Sequence, residues 1–314
     1  MSRTTKYADA VAAVKAMENS LMNRSDIEQL INASGKTEFD AVMSSKRGNP
    51  KEFSTESVWE FIHGYAPESR ELEILLYRND FHNLKAALKA MVSGRNAEKY
   101  FIRPTNINLE RLPEALAEKD YSVLPEHMHR TAKEAYELIV RTSDGQLADS
   151  FIDAETLRTM QKNADESGCE FMKEYARILT VCADIKTAYR CSRMKKQRIF
   201  LETAICGSPE LDKESLICAV LDGTESLMKF LEESGFAEAV ELLDKSAVKF
   251  EKWCDDLLME LAGTARMKSF GAEPLAAYYI ASETEQQNLR IISVCRESGA
   301  DRETIMERMR KLYV

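Results

Sequence analysis

The adjacent carboxylates Asp255-Asp256, in a stretch with helical periodicity, are the first residues whose type and spacing could do chemistry. Paired aspartates on a helix hold a divalent metal in all-helical prenyl-transfer enzymes, because hard cations take oxygen ligands. That chemistry needs a third carboxylate at position 259, which is Met259, and Glu260 lies one step off. Both aspartates fall on the polar side of an apolar stripe, so a solvated face is expected instead. Gly35-Lys36-Thr37 has the ending of a phosphate-binding loop, yet Leu30 stands where the loop's first glycine belongs and no strand precedes it. His127 and His129, two residues apart, do not share a helical face, and neither His63 nor His82 has a second ligand at metal-binding spacing. The seven cysteines are odd in number and form no C-x-x-C pair, which fits reduced thiols acting as small apolar side chains. No catalytic residue, cofactor site or metal site is expected.

A different pattern recurs along the chain. Asp80-x-x-Asn83-Leu84-Lys85 is echoed by Asp184-x-x-Thr187 followed by Arg190, and by Glu285-x-x-Asn288-Leu289-Arg290, at offsets of 104 and 101 residues. Apolar positions keep the register, with Ile74 matching Ile178, Leu112 matching Leu216 and Leu179 matching Ile280. An acidic residue and an Asn three apart lie on one helix face, while the basic residue at i+5 points away from both. One helix can therefore bond in two directions. Asp80, Asn83, Asp184, Glu285, Asn288 and Arg290 are candidates for a structural motif that satisfies backbone groups at neighbouring helix ends. There an unpaired buried polar atom costs about 1–3 kcal/mol.

Helices must carry these motifs, and the composition supplies them: 314 residues include only 12 Gly and 7 Pro, well under average usage. Phe236, Val240, Leu243, Ala247, Phe250, Cys254, Leu257 and Leu261 alternate steps of four and three, which predicts one amphipathic helix from Phe236 to Leu261, stopped by Gly263. A second helix is expected through Phe171, Tyr175, Ile178, Cys182 and Ile185. A third runs through Ile305, Met309 and Leu312 with Asp301 as its N-cap. No alternating strand is expected. Breaks are expected at residues 44–50, near Pro104, at Pro125, at 143–145 and at 207–209, none of them a long linker. Length alone suggests two domains, and the repeat revises this to three helical units, 1–105, 106–207 and 208–314, in one continuous body.

The balance of 43 Lys and Arg against 52 Asp and Glu gives a net charge of −9, which argues against nucleic acid as a partner. Against that acidity, the run Arg190, Arg193, Lys195, Lys196 and Arg198 is the largest local charge anomaly. A solvated helix face is its plain reading. A docking patch for an acidic partner surface is the sharper one, marked by association that weakens with salt. No apolar run approaches the ~18–20 residues of a transmembrane segment, and MSRTTKYADA lacks the apolar segment of a secretory signal. Residence in the cytosol is expected.

The C-terminal stretch EPLAAYYIASETEQQNLRIISVCRESGADRETIMERMRKLYV resembles the C-terminal signature of the central-stalk component of V-type and A-type rotary ATPases. Members of this family are the C subunits of bacterial and archaeal complexes and the d subunits of eukaryotic ones. The matching features are Glu283, Glu285, Asn288-Leu289-Arg290, Gly299 and Tyr313, and LYRNDFHNLKAALKA (Leu76 to Ala90) resembles the family's first D-x-x-N-L-K element. The second copy departs from the pattern, with Thr187 where the family usually has Asn. The resemblance implies an all-α protein whose three similar helical-bundle units form a pseudo-threefold funnel. It implies a non-catalytic, peripheral rotor component on the cytoplasmic face of the membrane. Such a component sits on the membrane proteolipid c/K ring, receives the D and F axle subunits, and passes torque between ATP hydrolysis or synthesis and proton or sodium movement. In that setting some polar side chains of the repeat would face the funnel interior and hold the axle. The alternatives are an all-helical prenyl-transfer-like enzyme, which needs clustered inward carboxylates, and a generic helical adaptor.

Overall fold

The computed structural model describes residues 7–47, 54–66 and 69–314. Among these residues every regular element is helical, in agreement with the all-α class expected from composition. The chain begins with α1 (Ala8–Met17), α2 (Arg24–Asn32), α3 (Lys36–Arg47) and α4 (Thr55–Tyr65). After the single turn α5 (Arg70–Glu73) come α6 (Tyr77–Ser93), α7 (Leu112–Glu118), α8 (His129–Thr142), α9 (Gly145–Ser167) and α10 (Glu170–Met194). Next are α11 (Arg198–Ala204), α12 (Lys213–Asp222), α13 (Thr224–Glu233) and α14 (Ala237–Lys245), followed by α15 (Ala247–Ala265), α16 (Glu273–Glu297) and α17 (Arg302–Arg308). They group into two compact units, one joining residues 1–72 to 241–314 and the other spanning 73–240.

The first unit brings the two ends of the chain together around α16. Leu275 to Ala281 are all buried, which explains an apolar run inside an otherwise polar helix. Ala276, Ala277 and Ala281 let neighbouring helices approach closely, and Trp59 of α4 packs edge-on against Tyr279 at 5.5 Å between ring centroids. Further along α16, Leu289, Ile292 and Cys295 pack with Ile27, Leu30 and Ile31 of α2 and Ile305 of α17. Each such side chain contributes about 1.5–3 kcal/mol by leaving water. Asn23 and Asp26 form a capping box that starts α2.

In the second unit α6 and α9 run antiparallel. Lys85 pairs with Asp153 and Lys89 with Asp149, both at 2.5 Å, while Asn163 Nδ2 donates to the Tyr77 hydroxyl at 2.7 Å. Partner numbers thus fall along α9 as they rise along α6. The turn from α9 into α10 is made by Gly168 at φ +65°, a left-handed conformation that glycine adopts without a steric cost.

Three expected boundaries move. The helix predicted from Phe236 to Leu261 is two helices, because Ser246 adopts an extended conformation and its side chain accepts a bond from the Val248 amide, starting α15 afresh. Gly263 lies inside α15, which continues to Ala265. Asp301 caps α17 through a 2.7 Å bond from Thr304 N, as expected, but the helix stops at Arg308, so Met309 and Leu312 belong to a non-helical tail. The breaks near 104, 125 and 207–209 fall between helices, and that at 143–145 does so at Ser143 and Asp144, with Gly145 opening α9. The one at 44–50 starts inside α3, and residues 48–50 lie outside the described residues. The expected unit boundaries near 105 and 207 both lie in interhelical loops of the second unit; the three-unit division stands as a proposal.

Candidate functional site

Each copy of the repeated element buries its acidic residue on a long helix, Asp80 in the first turn of α6 and Asp184 and Glu285 near the middle of α10 and α16. On α6, Asp80 and Asn83 are fully buried on one face. Asn83 holds Ile102 by both backbone groups: its Oδ1 accepts from Ile102 N at 2.8 Å and its Nδ2 donates to Ile102 O at 2.9 Å. One turn earlier, Asp80 accepts from Asn106 N at 2.7 Å, Thr105 Oγ1 at 2.5 Å and Asn106 Nδ2 at 2.8 Å. The loop over 102–106 has no helix of its own to satisfy these groups, so α6 satisfies them.

The same arrangement recurs on α16. Asn288 accepts from Arg310 N at 2.8 Å and donates to Arg310 O at 3.2 Å, while Glu285 accepts from Met22 N. On α10, where Thr187 replaces the Asn, Asp184 takes two successive amides, Cys206 N at 2.8 Å and Gly207 N at 2.6 Å. In all three copies, buried side chains of a long helix bond backbone that lies outside that helix. Burial pushes the carboxyls of Asp80 and Asp184 up to about 6, with the donated hydrogen bonds opposing the rise. Arg290 is exposed at the surface of α16.

Asp255 and Asp256 do not form a solvated face, which corrects the sequence expectation. Arg310 Nε donates to Asp255 at 2.8 Å, Lys311 N donates to Asp256 at 2.6 Å, and Lys252 pairs with Asp256 at 2.9 Å. The cause is the non-helical tail after α17, which lies along α15 and needs acceptors for its backbone and its buried guanidinium. With both carboxylates bonded to the tail, the pair is not arranged as a metal-binding set. Among the described residues no group of three His, Cys, Asp or Glu is placed to hold a metal ion. His127 stacks on Tyr77 with centroids 4.0 Å apart, and burial pushes its pKa down to about 4. His129 contacts Leu124 O at 2.8 Å.

The basic run is divided between two helices. Arg190 and Arg193 are exposed on the last turns of α10, and Lys195 ends that helix at φ +51°. Lys196 lies over the Phe200 ring and donates to Gln146 at 3.0 Å. Arg198 opens α11 and pairs with Glu214 at 2.6 Å and Glu202 at 3.6 Å.

Two groups of bonds carried no sequence signal. Arg296 donates to the carbonyls of Leu30, Ile31 and Ala33 at 2.5–2.8 Å, closing the C-terminal end of α2 from a position more than 260 residues away. Glu155, 4% exposed, holds Arg130 and Arg158, and Arg158 also donates to Ile205 O at 2.9 Å. Apart from the i,i+3 pair Glu155–Arg158, these contacts join distant positions and leave no local spacing to read.

Residues 52–308 match the family described as ATP synthase (C/AC39) subunit. The chain is also similar to the C subunit of the V-type sodium ATPase of Enterococcus hirae, with 23% identity over 325 residues, covering 98% of this chain and 99% of that protein. The match extends across both compact units, including all three copies of the repeated element. The chain belongs to the ATP synthase (C/AC39) subunit family of V-type ATPases.

Proposed function

We propose that this chain is the non-catalytic central-stalk connector of a V/A-type rotary ATPase, placed on the cytoplasmic face of the membrane. It links the D and F axle subunits to the proteolipid ring and passes torque between ATP turnover and the movement of protons or sodium ions. The observation that carries this reading is the family match over residues 52–308, supported by similarity to the C subunit of a V-type sodium ATPase along nearly the whole chain. The internal construction is suited to the task. A part under load must not yield, and here buried side chains of long helices hold the backbone of intervening loops while close-packed cores resist compression. Among the described residues no helix is long and apolar enough to cross a membrane, so attachment to a ring would be through surface contacts.

The test is uncoupling. In membranes from cells lacking this chain, ATP hydrolysis by the detached head continues while ATP-driven ion transport stops, and adding back the full-length protein restores transport. Transport that persists without the chain would refute the connector role.

A further inference from the structure

One end of the second unit collects a surplus of cations and exposed aliphatic side chains. The pairing of Lys89 with Asp149 sets the last turns of α6 beside the first turn of α9. The bond from Lys196 to Gln146 sets the α10–α11 connection beside that same turn. The end of α8 leads into it directly through Ser143 and Asp144. Segments 89–95, 139–149 and 190–200 are thereby neighbours, and together they hold eight Lys and Arg against two Asp, with Glu202 and Glu214 beside them paired to Arg198, in a chain whose net charge is −9. Arg95, Arg141, Arg190, Arg193 and Lys195 are all exposed there. Of the two aspartates, Asp149 is paired with Lys89, and Asp144 caps α9 by accepting from the amides of Gln146 and Leu147. Interleaved with these cations stand Met91, Val92, Val140, Met194 and Ile199, 37–73% exposed.

We infer that this end of the second unit binds the anionic phospholipid headgroup layer of a membrane. The charge surplus favours an anionic occupant over a neutral or cationic one. The form of the apolar component separates a lipid layer from an acidic protein surface. A protein interface concentrates its apolar contacts in a contiguous centre anchored by aromatic side chains. Here the five aliphatic side chains are spread over four helix ends, with Met91 and Val92 adjacent on α6 and Val140, Met194 and Ile199 one each on α8, α10 and α11, in segments that also carry the Arg and Lys. A fluid headgroup layer needs no matching shape: it accepts single aliphatic side chains and meets each flexible cation separately. The basic run on α10 and α11 is then one part of a wider surface to which α6 and α8 also contribute.

The full-length protein is incubated with sedimentable vesicles of phosphatidylcholine alone or mixed with phosphatidylglycerol, at low and high salt. Binding is expected to the phosphatidylglycerol vesicles only and to be lost at high salt. Each cation near an anionic surface changes affinity about fivefold, so Arg190→Gln/Arg193→Gln/Lys195→Gln is expected to bind on the order of 100-fold more weakly. An unchanged thermal midpoint verifies that the variant is folded. The salt series on the unmodified protein is a second arm that needs no variant. Absence of binding to phosphatidylglycerol vesicles, or equal binding by the triple variant, would overturn the inference. A parent chain that ignores vesicles, yet loses retention by the solubilised ring when these three residues change, would assign the surface to acidic protein instead. None of these outcomes depends on ion transport, so the connector role stands or falls separately.

Discussion

Asn288 holds Arg310 by both of its backbone groups, accepting from the amide at 2.8 Å and donating to the carbonyl at 3.2 Å. Through this one side chain the buried helix α16 fixes the tail that closes the first unit. The tail is fixed again when Arg310 bonds Asp255, Lys311 N bonds Asp256, and the Tyr313 hydroxyl donates to Glu18 at 3.0 Å.

Asn288→Leu removes both bonds and leaves a buried amide and a buried carbonyl unsatisfied. A loss of about 2–5 kcal/mol in unfolding free energy is expected for the isolated chain, measured by urea denaturation. Asn83→Leu removes both bonds to Ile102 in the second unit, a residue 37% exposed, and is expected to cost less, about 1–2 kcal/mol, because water reaches the freed groups. Losses below about 0.5 kcal/mol would show that water replaces these bonds freely.

The carboxyls of Asp80 and Asp184 are pushed from 3.8 up to about 6 by burial. The folded state therefore holds these protons more tightly than the unfolded chain does. The stabilisation from this source is complete below about pH 4 and is lost as pH rises through about 6. A carboxyl moved that far contributes about 3 kcal/mol over this window. Asp184→Asn is expected to flatten the fall in stability between about pH 4 and 6 relative to the parent by that amount, measured by denaturation at a series of pH values. Parallel profiles for parent and variant would contradict it.

Arg296 serves three carbonyls at the end of α2 with one planar guanidinium. Lys presents a point charge on a flexible stem and does not reproduce that fork. Arg296→Lys is expected to cost about 2–3 kcal/mol and to speed amide hydrogen exchange over Arg24–Asn32 selectively. Uniform exchange changes throughout the first unit would instead indicate a general loss of packing.

Ser246 separates α14 from α15 and caps the latter through the Val248 amide. Ser246→Ala is expected to cost about 1 kcal/mol, and Ser246→Asp to recover most of it, read as thermal midpoints. Equal midpoints for all three proteins would mean that packing alone sets this helix start.

Helix content was legible because breakers are scarce and apolar spacing is local. The long helix α10 follows from such a pattern, and the Asp301 cap from a single residue type. The split at Ser246 was hidden, because the apolar stripe continues in phase across it and only a side-chain bond to Val248 marks the break. The repeated acidic residue and Asn were visible as a spacing, but their partners Ile102, Cys206 and Arg310 are backbone groups that any residue carries. Asp255 and Asp256 read as solvated because the tail that covers them arrives from more than 50 residues away. Arg296 gave no signal for the same reason, since its acceptors are carbonyls at the opposite end of the chain.

The most direct measurement is the composition of the complex retained by the affinity-tagged full-length chain from detergent-solubilised membranes of its own cells. The D and F axle subunits and the proteolipid ring are expected to be retained together, with the ring still bound after the head has been stripped away. Retention of neither the axle nor the ring would contradict the connector role.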